Sequence, residues 1–528
     1  MAWPNPFIPD DENTRHCWGY KFQWSPLHFT PEELEPLKYT CDTLADECLP
    51  ILDSINDASE SSENLGGEKK SEEDGRGKGD EKRKKKNLYE LLKGNHMKDE
   101  KLGRLWREVN TVPDWVDWEV IGRGQDVFYR YAGVALTSVS FFSLPTLSGS
   151  SVKVVMWKMV EKKGGLRLIN GDFSWLIKVY LVGWVLVELR KSSQEQAGSQ
   201  YPTLKNEASP SYPPPTPHIL LTRFEVYETT QHILQITSSL PSIQPGGAGH
   251  ISTLRVRLLH AYVRRRILKL ASTRPTYYSV PDHGIPINDL DSVGTIATFS
   301  STLIWLGIPR QLIWLRPQEI SDYIALWRLV AYYLGVPTEY FETPEKAKAI
   351  MESILISEMN PSETSKVLAN NIIESLQGKA PAYASRGFLE ASARWLNGNE
   401  LGDALGIGRP GWYYWALVAG QVGFFWGWCW VKRGLRWVDR ERGVAIRNLL
   451  YKSFILNETH GLGKETDFSF QYIPSYDLTT VGPNEREKSG VVVKGVERRN
   501  LLTFLSGCVL VGSVFLGFIK GVQVVRAL

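Results

Sequence analysis

The stretch TLRVRLLHAYVRRRILKL, Thr253 to Leu270, and the segment HGIPINDLDSVGTIATF that follows it, His283 to Phe299, decide how the chain is read. Placed on a helix, Val256, Leu259, Val263, Ile267 and Leu270 follow the three-and-four spacing of one buried face. Arg255, Arg265 and Arg266 then fall on the far side. His260 points inward with the apolar face, and Arg264 lies one turn further on at its border. An imidazole among aliphatic side chains stays neutral by desolvation, so it keeps a lone pair that binds a metal or accepts a hydrogen bond. On helix pattern alone, a core histidine bonded to a backbone carbonyl is the competing expectation.

Outward from this helix the chain reads as all-α. A helix is expected after Pro113, Trp115 and Trp118, with Gly124, Phe128, Tyr131 and Ala135 on its buried side. FSWLIKVYLVGWVLVEL, Phe173 to Leu189, is too short an apolar run to span a bilayer and reads as a core helix. Further helices are expected in ILLTRFEVYETTQHILQIT (219–237), DYIALWRLVAYYLGVP (322–337) and FLEASARWLNGNELGDALGIGRP (388–410), each closed by Gly or Pro. No run of alternating strands and no internal repeat is apparent.

HAYVRR, then GIPIND, then Thr295 and Phe299, together with W-V-D-W…RGQ…F-x-R-Y at 115–131 and W-R…LG at 327–335, resemble the catalytic domain shared by rubber oxygenases (latex-clearing proteins) and ER-bound oxygenases of the MpaB type. That resemblance implies a large single helical haem-binding domain in which His260 is the axial ligand of haem b iron. It also implies that Arg264 and Thr295 belong to the haem surroundings and the catalytic set. The implied reaction uses dioxygen on an apolar substrate, an isoprenoid or similar lipid, with oxidative cleavage of a carbon–carbon double bond. The family's arginine four residues before a threonine is missing: Glu225 precedes Thr229 and Val226 precedes Thr230, while Arg223 is out of register. Asp289 stands where the family often has glutamine, and Glu225 and Glu228 are the nearby candidates for a base. Those departures keep two alternatives in view: an inactive tail-anchored lipid-binding or interaction protein, and a haem oxidase or hydroxylase that does not cleave. His232, His250 and His283 are rival ligands, each expected to be structural.

Composition narrows the setting. With 61 basic and 58 acidic residues the formal charge is +3, so nothing calls for a nucleic-acid partner. Nineteen tryptophans, many of them in apolar segments, favour apolar ligands or a membrane interface. Cys17, Cys41, Cys48, Cys429 and Cys508 are scattered, which points away from disulfides and zinc and towards a reducing compartment. No cleaved signal peptide is expected from the N-terminal residues.

The expected organisation is an N-terminal extension (1–56), a disordered charged insertion (57–87), a catalytic domain (105–456) interrupted by a Pro-rich insertion (198–217), a polar linker (457–500) and a transmembrane helix (501–519). The uncharged run 411–431 is long enough to span a bilayer, yet its aromatics also suit an interface. Arg486, Lys488, Lys494, Arg498 and Arg499 precede the last apolar run, against Lys520 and Arg526 within and after it. By the positive-inside rule the catalytic portion faces the cytosol, on the endoplasmic reticulum if the resemblance holds.

Overall fold

The structure is a computed structural model that describes residues 10–65, 87–135, 228–275, 278–378, 383–457, 462–468 and 496–527. The expected helix 173–189 and the Pro-rich insertion 198–217 lie outside these residues, as do Arg223, Glu225 and Val226.

The described chain is all-helical apart from one hairpin. That hairpin, β1 (Thr14–Cys17) and β2 (Tyr20–Gln23), pairs antiparallel in the register Thr14 to Gln23. Its two-residue turn, Trp18 and Gly19, takes positive φ at both positions, which matches the twist of the flanking strands. A four-residue strand offers too little alternation to stand out in the sequence. The short helix α1 (Pro31–Leu34) carries a capping box, with Thr30 and Glu33 satisfying each other's backbone N–H. Next comes α2 (Thr43–Leu65), so the first residues of the charged insertion are helix and not irregular chain; 66–86 lie outside the described residues.

The body is built from α3 (Leu88–Asn95), α4 (Glu100–Asn110), α5 (Trp118–Arg130), α6 (228–236), α7 (Ala248–Thr273), α8 (Asp289–Phe299) and α9 (Pro317–Leu334). It continues with α10 (Pro344–Ser357), α11 (Glu363–Leu376), α12 (Arg386–Asn397), α13 (Trp412–Gly434), α14 (Arg436–Tyr451) and α15 (Val496–Ala527). Asp99 and Asp117 accept the first free N–H groups of α4 and α5. Gly335, left-handed at φ 72°, stops α9 where the sequence predicts a stop.

The α9 helix is the hub, with Tyr323, Ile324, Leu326, Trp327, Leu329, Val330 and Tyr333 all buried. The α5 helix lies against it at Gly124, where a Cβ would stand 2.4 Å from the Asp322 carbonyl oxygen. Arg123 then clamps the crossing through a bidentate pair with Asp322 at 2.9 and 3.0 Å. Below this, Arg130, Tyr131 and Arg433 converge on Glu319, so one carboxylate ties α5, α9 and α13 together.

The segment 411–431 is helix α13, with Leu417, Val418, Val422 and Phe425 in the core and Trp412, Trp426 and Trp430 exposed. Gly420 meets Asn500 and Gly423 meets Thr503, so α15 runs parallel to α13 from that contact. Leu502, Leu505, Val509, Leu510 and Val511 of α15 are exposed. Among the described residues, Asp289–Gln311 is the one segment long and apolar enough to cross a bilayer by composition. Its 67% burial inside protein makes it core.

Replacing Gly124 by Ala must push α5 and α9 apart and should destabilise the protein by about 1–3 kcal/mol. Chemical denaturation measures it, and an unchanged midpoint would contradict the close crossing.

Candidate functional site

His260 sits midway along α7, and what positions it is the buried side of that helix, on whose edge it lies. The residues closed off from solvent are Gly249, His250, Ser252, Thr253, Leu254, Arg257, Leu258, Ala261, Arg264 and Ile267. This corrects the expected buried face. Of Val256, Leu259, Val263, Ile267 and Leu270, only Ile267 is buried and the others are half-exposed. The reason is ionic: Arg257 and Arg264 are each 3% exposed and drawn to acidic partners in the N-terminal extension.

Asp42 takes Arg257 in a bidentate pair at 2.6 and 2.9 Å, and Glu108 adds a third bond at 2.9 Å. Asp46 takes Arg264 at 2.7 Å, and Asp53 takes Arg265 at 2.7 Å. The order 42, 46, 53 against 257, 264, 265 runs α2 alongside α7. Gly335 closes the row, since a Cβ there would meet the Arg257 guanidinium at 2.7 Å. Arg264 also donates to the Ile287 carbonyl at 3.2 Å, so one guanidinium joins HAYVRR to GIPIND. Ile287 holds a positive φ of 54° immediately before Asn288, which caps α8 by accepting from Asp291 N–H.

With Arg257 and Arg264 turned inward, the half-exposed apolar face of Val256, Leu259 and Val263 carries His260 at its edge. His260 makes no hydrogen bond among the described residues. Burial, with the Arg264 charge added, pushes its pKa from 6.5 down to about 4. The ring is thus half-buried and held in its neutral form by the protein around it.

The rivals separate cleanly. His250 uses both nitrogens, donating from Nε2 to the Val109 carbonyl at 2.8 Å and accepting Gly246 N–H at Nδ1 at 3.2 Å. It is structural. His283 ends the short helix Val280–His283 before GIPIND, with its ring 5.9 Å from that of Tyr278. His232, on α6, is buried and bonds Ser252 Oγ through Nδ1 at 3.1 Å. Burial and then the neighbouring His260 hold its pKa down to about 3. Sequence reasoning took His232 as a rival ligand expected to be structural, and nothing in the spacing shows that α6 meets α7 at Ser252.

A strap from beyond α14 covers this crossing. Gln231 exchanges two bonds of 2.9 Å with the backbone of Thr466, Asp467 pairs with Arg255 at 3.1 Å, and Phe468 stands edge-on to His232 with centroids 6.4 Å apart. Part of the expected polar linker is thus docked on the site. Thr295 is elsewhere: it is exposed and donates to the Asp291 carbonyl at 2.8 Å. Among the described residues no hydrogen bond or ion pair joins it to His260 or Arg264. Asp289 opens α8, where its N–H bonds the Thr40 carbonyl at 2.9 Å.

Residues 226–431 match the family model of the ER-bound oxygenase mpaB/B'/Rubber oxygenase catalytic domain. A solved structure of latex clearing protein in the closed state is similar at 15% identity, with a TM-score of 0.48, over 78% of this chain and 91% of that one. No curated protein matches. The oxygenase match takes in α6 through most of α13, and with them His232, His260, Arg264 and Thr295. It leaves out the N-terminal extension, whose Asp42 and Asp46 hold the two buried arginines.

Two outcomes follow. Asp46→Ala leaves the Arg264 charge buried without its partner and should cost about 3 kcal/mol of stability, read from denaturant titration. Both site histidines have folded pKa values below the unfolded 6.5, so the unfolded chain binds more protons between those values. Stability is full above about 6.5 and should fall on acidification towards about 4 and about 3, by up to about 1.4 kcal/mol per pH unit for each histidine. A flat profile over that window would contradict two buried neutral imidazoles.

Proposed function

We propose that the protein is a haem b-dependent oxygenase that cleaves a carbon–carbon double bond in an apolar isoprenoid or lipid substrate, with His260 as the iron ligand. The observation that carries this reading is the neutral imidazole of His260, without a hydrogen bond among the described residues, inside a segment that matches the family model of an oxygenase catalytic domain. The donor set suits a haem better than a bare ion. Among the described residues no three of His, Cys, Asp or Glu cluster as metal ligands, whereas a haem needs one imidazole from this side.

The polar surroundings fit as well. Arg264 Nε and Arg257 Nη1 are buried without a hydrogen-bond acceptor, so the arginine row has donors left for a propionate. Arg264 would hold that carboxylate while its Asp46 bond keeps the α7 helix fixed, which is a positioning role. Bound haem would supply the dioxygen chemistry. The chain's own part is to keep the His260 lone pair free, exclude water with Val256, Leu259 and Val263, and orient the double bond in a dry channel. Thr295 is proposed as part of the catalytic set on the resemblance alone. Its exposed position and its bond to Asp291 add no support.

The proposed setting is the cytosolic face of the endoplasmic reticulum membrane, with 105–456 as the catalytic unit and 501–519 as the anchor. Supporting it, α15 exposes Leu505, Val509, Leu510 and Val511 at the level where α13 exposes Trp426 and Trp430. A continuous apolar surface of that kind calls for a cover. Carbonate extraction tests the anchor, which requires the protein to stay in the pellet; release into the supernatant would defeat it.

Purified protein loaded with haem should show a Soret band, and His260→Ala should lose it while keeping its helical circular dichroism. Incubation with a prenylated substrate and labelled dioxygen should place the label in carbonyl products. A Soret band without cleavage would leave an oxidase or hydroxylase, and haem retained in His260→Ala would overturn the ligand assignment.

A further inference from the structure

The turn that joins the hairpin to α1 brings a serine and a histidine up to a buried glutamate. Ser25 Oγ stands 3.0 Å from His28 Nδ1, and His28 Nε2 stands 3.0 Å from Glu352 Oε2 on α10. The neighbours fix the tautomer. Ser25 N–H, which can only donate, meets Nδ1 at 3.0 Å, so Nδ1 carries a lone pair and Nε2 carries the proton that Glu352 accepts. Glu352 is fully buried and divides its donors: Tyr20 and Lys348 both reach Oε1 at 2.6 Å, which leaves Oε2 to the imidazole. The ring is held on both faces, with Phe22 stacked at 5.6 Å and Trp24 at 4.7 Å between centroids. Phe29 N–H donates to Ser353 Oγ at 2.9 Å, which repeats the attachment one residue further along each segment. The His28 side chain is 4% exposed, whereas Ser25 is half-buried beside exposed Pro26 and Leu27. A turn closed by the 3.0 Å bond from His28 N–H to the Ser25 carbonyl explains why the two residues meet, but it requires no carboxylate behind the imidazole.

We propose that Ser25, His28 and Glu352 form a second reactive centre, in which Ser25 is a nucleophile that accepts acyl groups from esters. Ser25 Oγ attacks the ester carbonyl carbon while its proton passes to His28 Nδ1. The bond from that carbon to the alcohol oxygen breaks, and the alcohol leaves with the proton. Water then repeats the sequence: its oxygen takes the acyl group away as a carboxylic acid, and its proton returns to Ser25 Oγ through Nδ1. Glu352 takes no proton; by accepting from Nε2 it orients the ring and stabilises the doubly protonated form, which makes it the positioning residue. Leu27, 42% exposed, and the half-buried Trp24 flank the serine and suit an apolar acyl group. Pro26, the residue after the nucleophile, has no N–H, and Leu27 N–H is directed at Ser25 Oγ itself at 3.4 Å. The turn therefore supplies no pair of donors for the developing oxyanion, and acylation is slow.

Slow acylation calls for a trapping reagent. The full chain, with and without added haem, is incubated with an alkyl fluorophosphonate, and the labelled residue is located by mass spectrometry. The label should sit on Ser25 in both preparations and be missing from Ser25→Ala. His28→Gln removes the base and should slow labelling by about 100-fold. Glu352→Gln keeps the shape of the side chain but not its charge, and it should slow labelling as well. If either variant fails to fold, the wild-type rate is compared with that of an unstructured peptide spanning residues 20–30, because a serine without an activating partner reacts at the peptide's rate. A folded wild type with no label on Ser25, or with Ser25 labelled only as fast as the peptide, would overturn the proposal. So would labelling of Ser25 that a folded His28→Gln leaves unchanged.

Discussion

The buried pairing of Arg257 and Arg264 with Asp42 and Asp46 is the constraint on which the site depends. Two guanidinium groups at 3% exposure cannot be left without counter-charges, so α2 and α7 must lie side by side for the protein to fold. Once they do, the rotation of α7 about its axis is fixed. The arginines and Ala261 face α2, and the line from Ser252 through Val256 to His260 runs along the edge of that same buried side, next to Arg264. The charge ladder does no chemistry itself; it determines which way the imidazole looks.

That arrangement explains why a family match confined to 226–431 does not describe the whole functional unit. Asp42, Asp46 and Asp53 come from the N-terminal extension, and the strap at 465–468 comes from beyond the matched segment. The site is therefore assembled from three separated pieces of chain. The extension is fastened a second time through Glu352, which is fully buried and receives Tyr20 at 2.6 Å, His28 at 3.0 Å and Lys348 at 2.6 Å. A carboxylate with that many donors has no capacity left for reaction and reads as a fastening.

Much of the helical framework was legible in the sequence because local signals suffice for it. The Thr30 to Glu33 box and the Gly335 stop act within a few residues, and the buried set Gly124, Phe128, Tyr131 and Ala135 follows helical periodicity. The face of α7 was misread because periodicity counts apolar residues and has no way to register that Arg257 and Arg264 meet acids more than two hundred residues earlier. The hairpin at 14–23 escaped because each strand is four residues long. His260 stood out by pattern and resemblance, but the proximity of His232 is a tertiary fact carried by Ser252, a residue with no distinguishing context.

The central claim is that the imidazole held in place beside the arginine ladder is the bond between protein and iron. Resonance Raman spectroscopy of the reduced, haem-loaded protein measures the iron–imidazole stretch directly. His260→Gly should lose that band and regain it when free imidazole is added to fill the space left by the side chain. A band that persists in His260→Gly without added imidazole would mean that another histidine holds the iron and that the orientation of α7 has been given the wrong purpose.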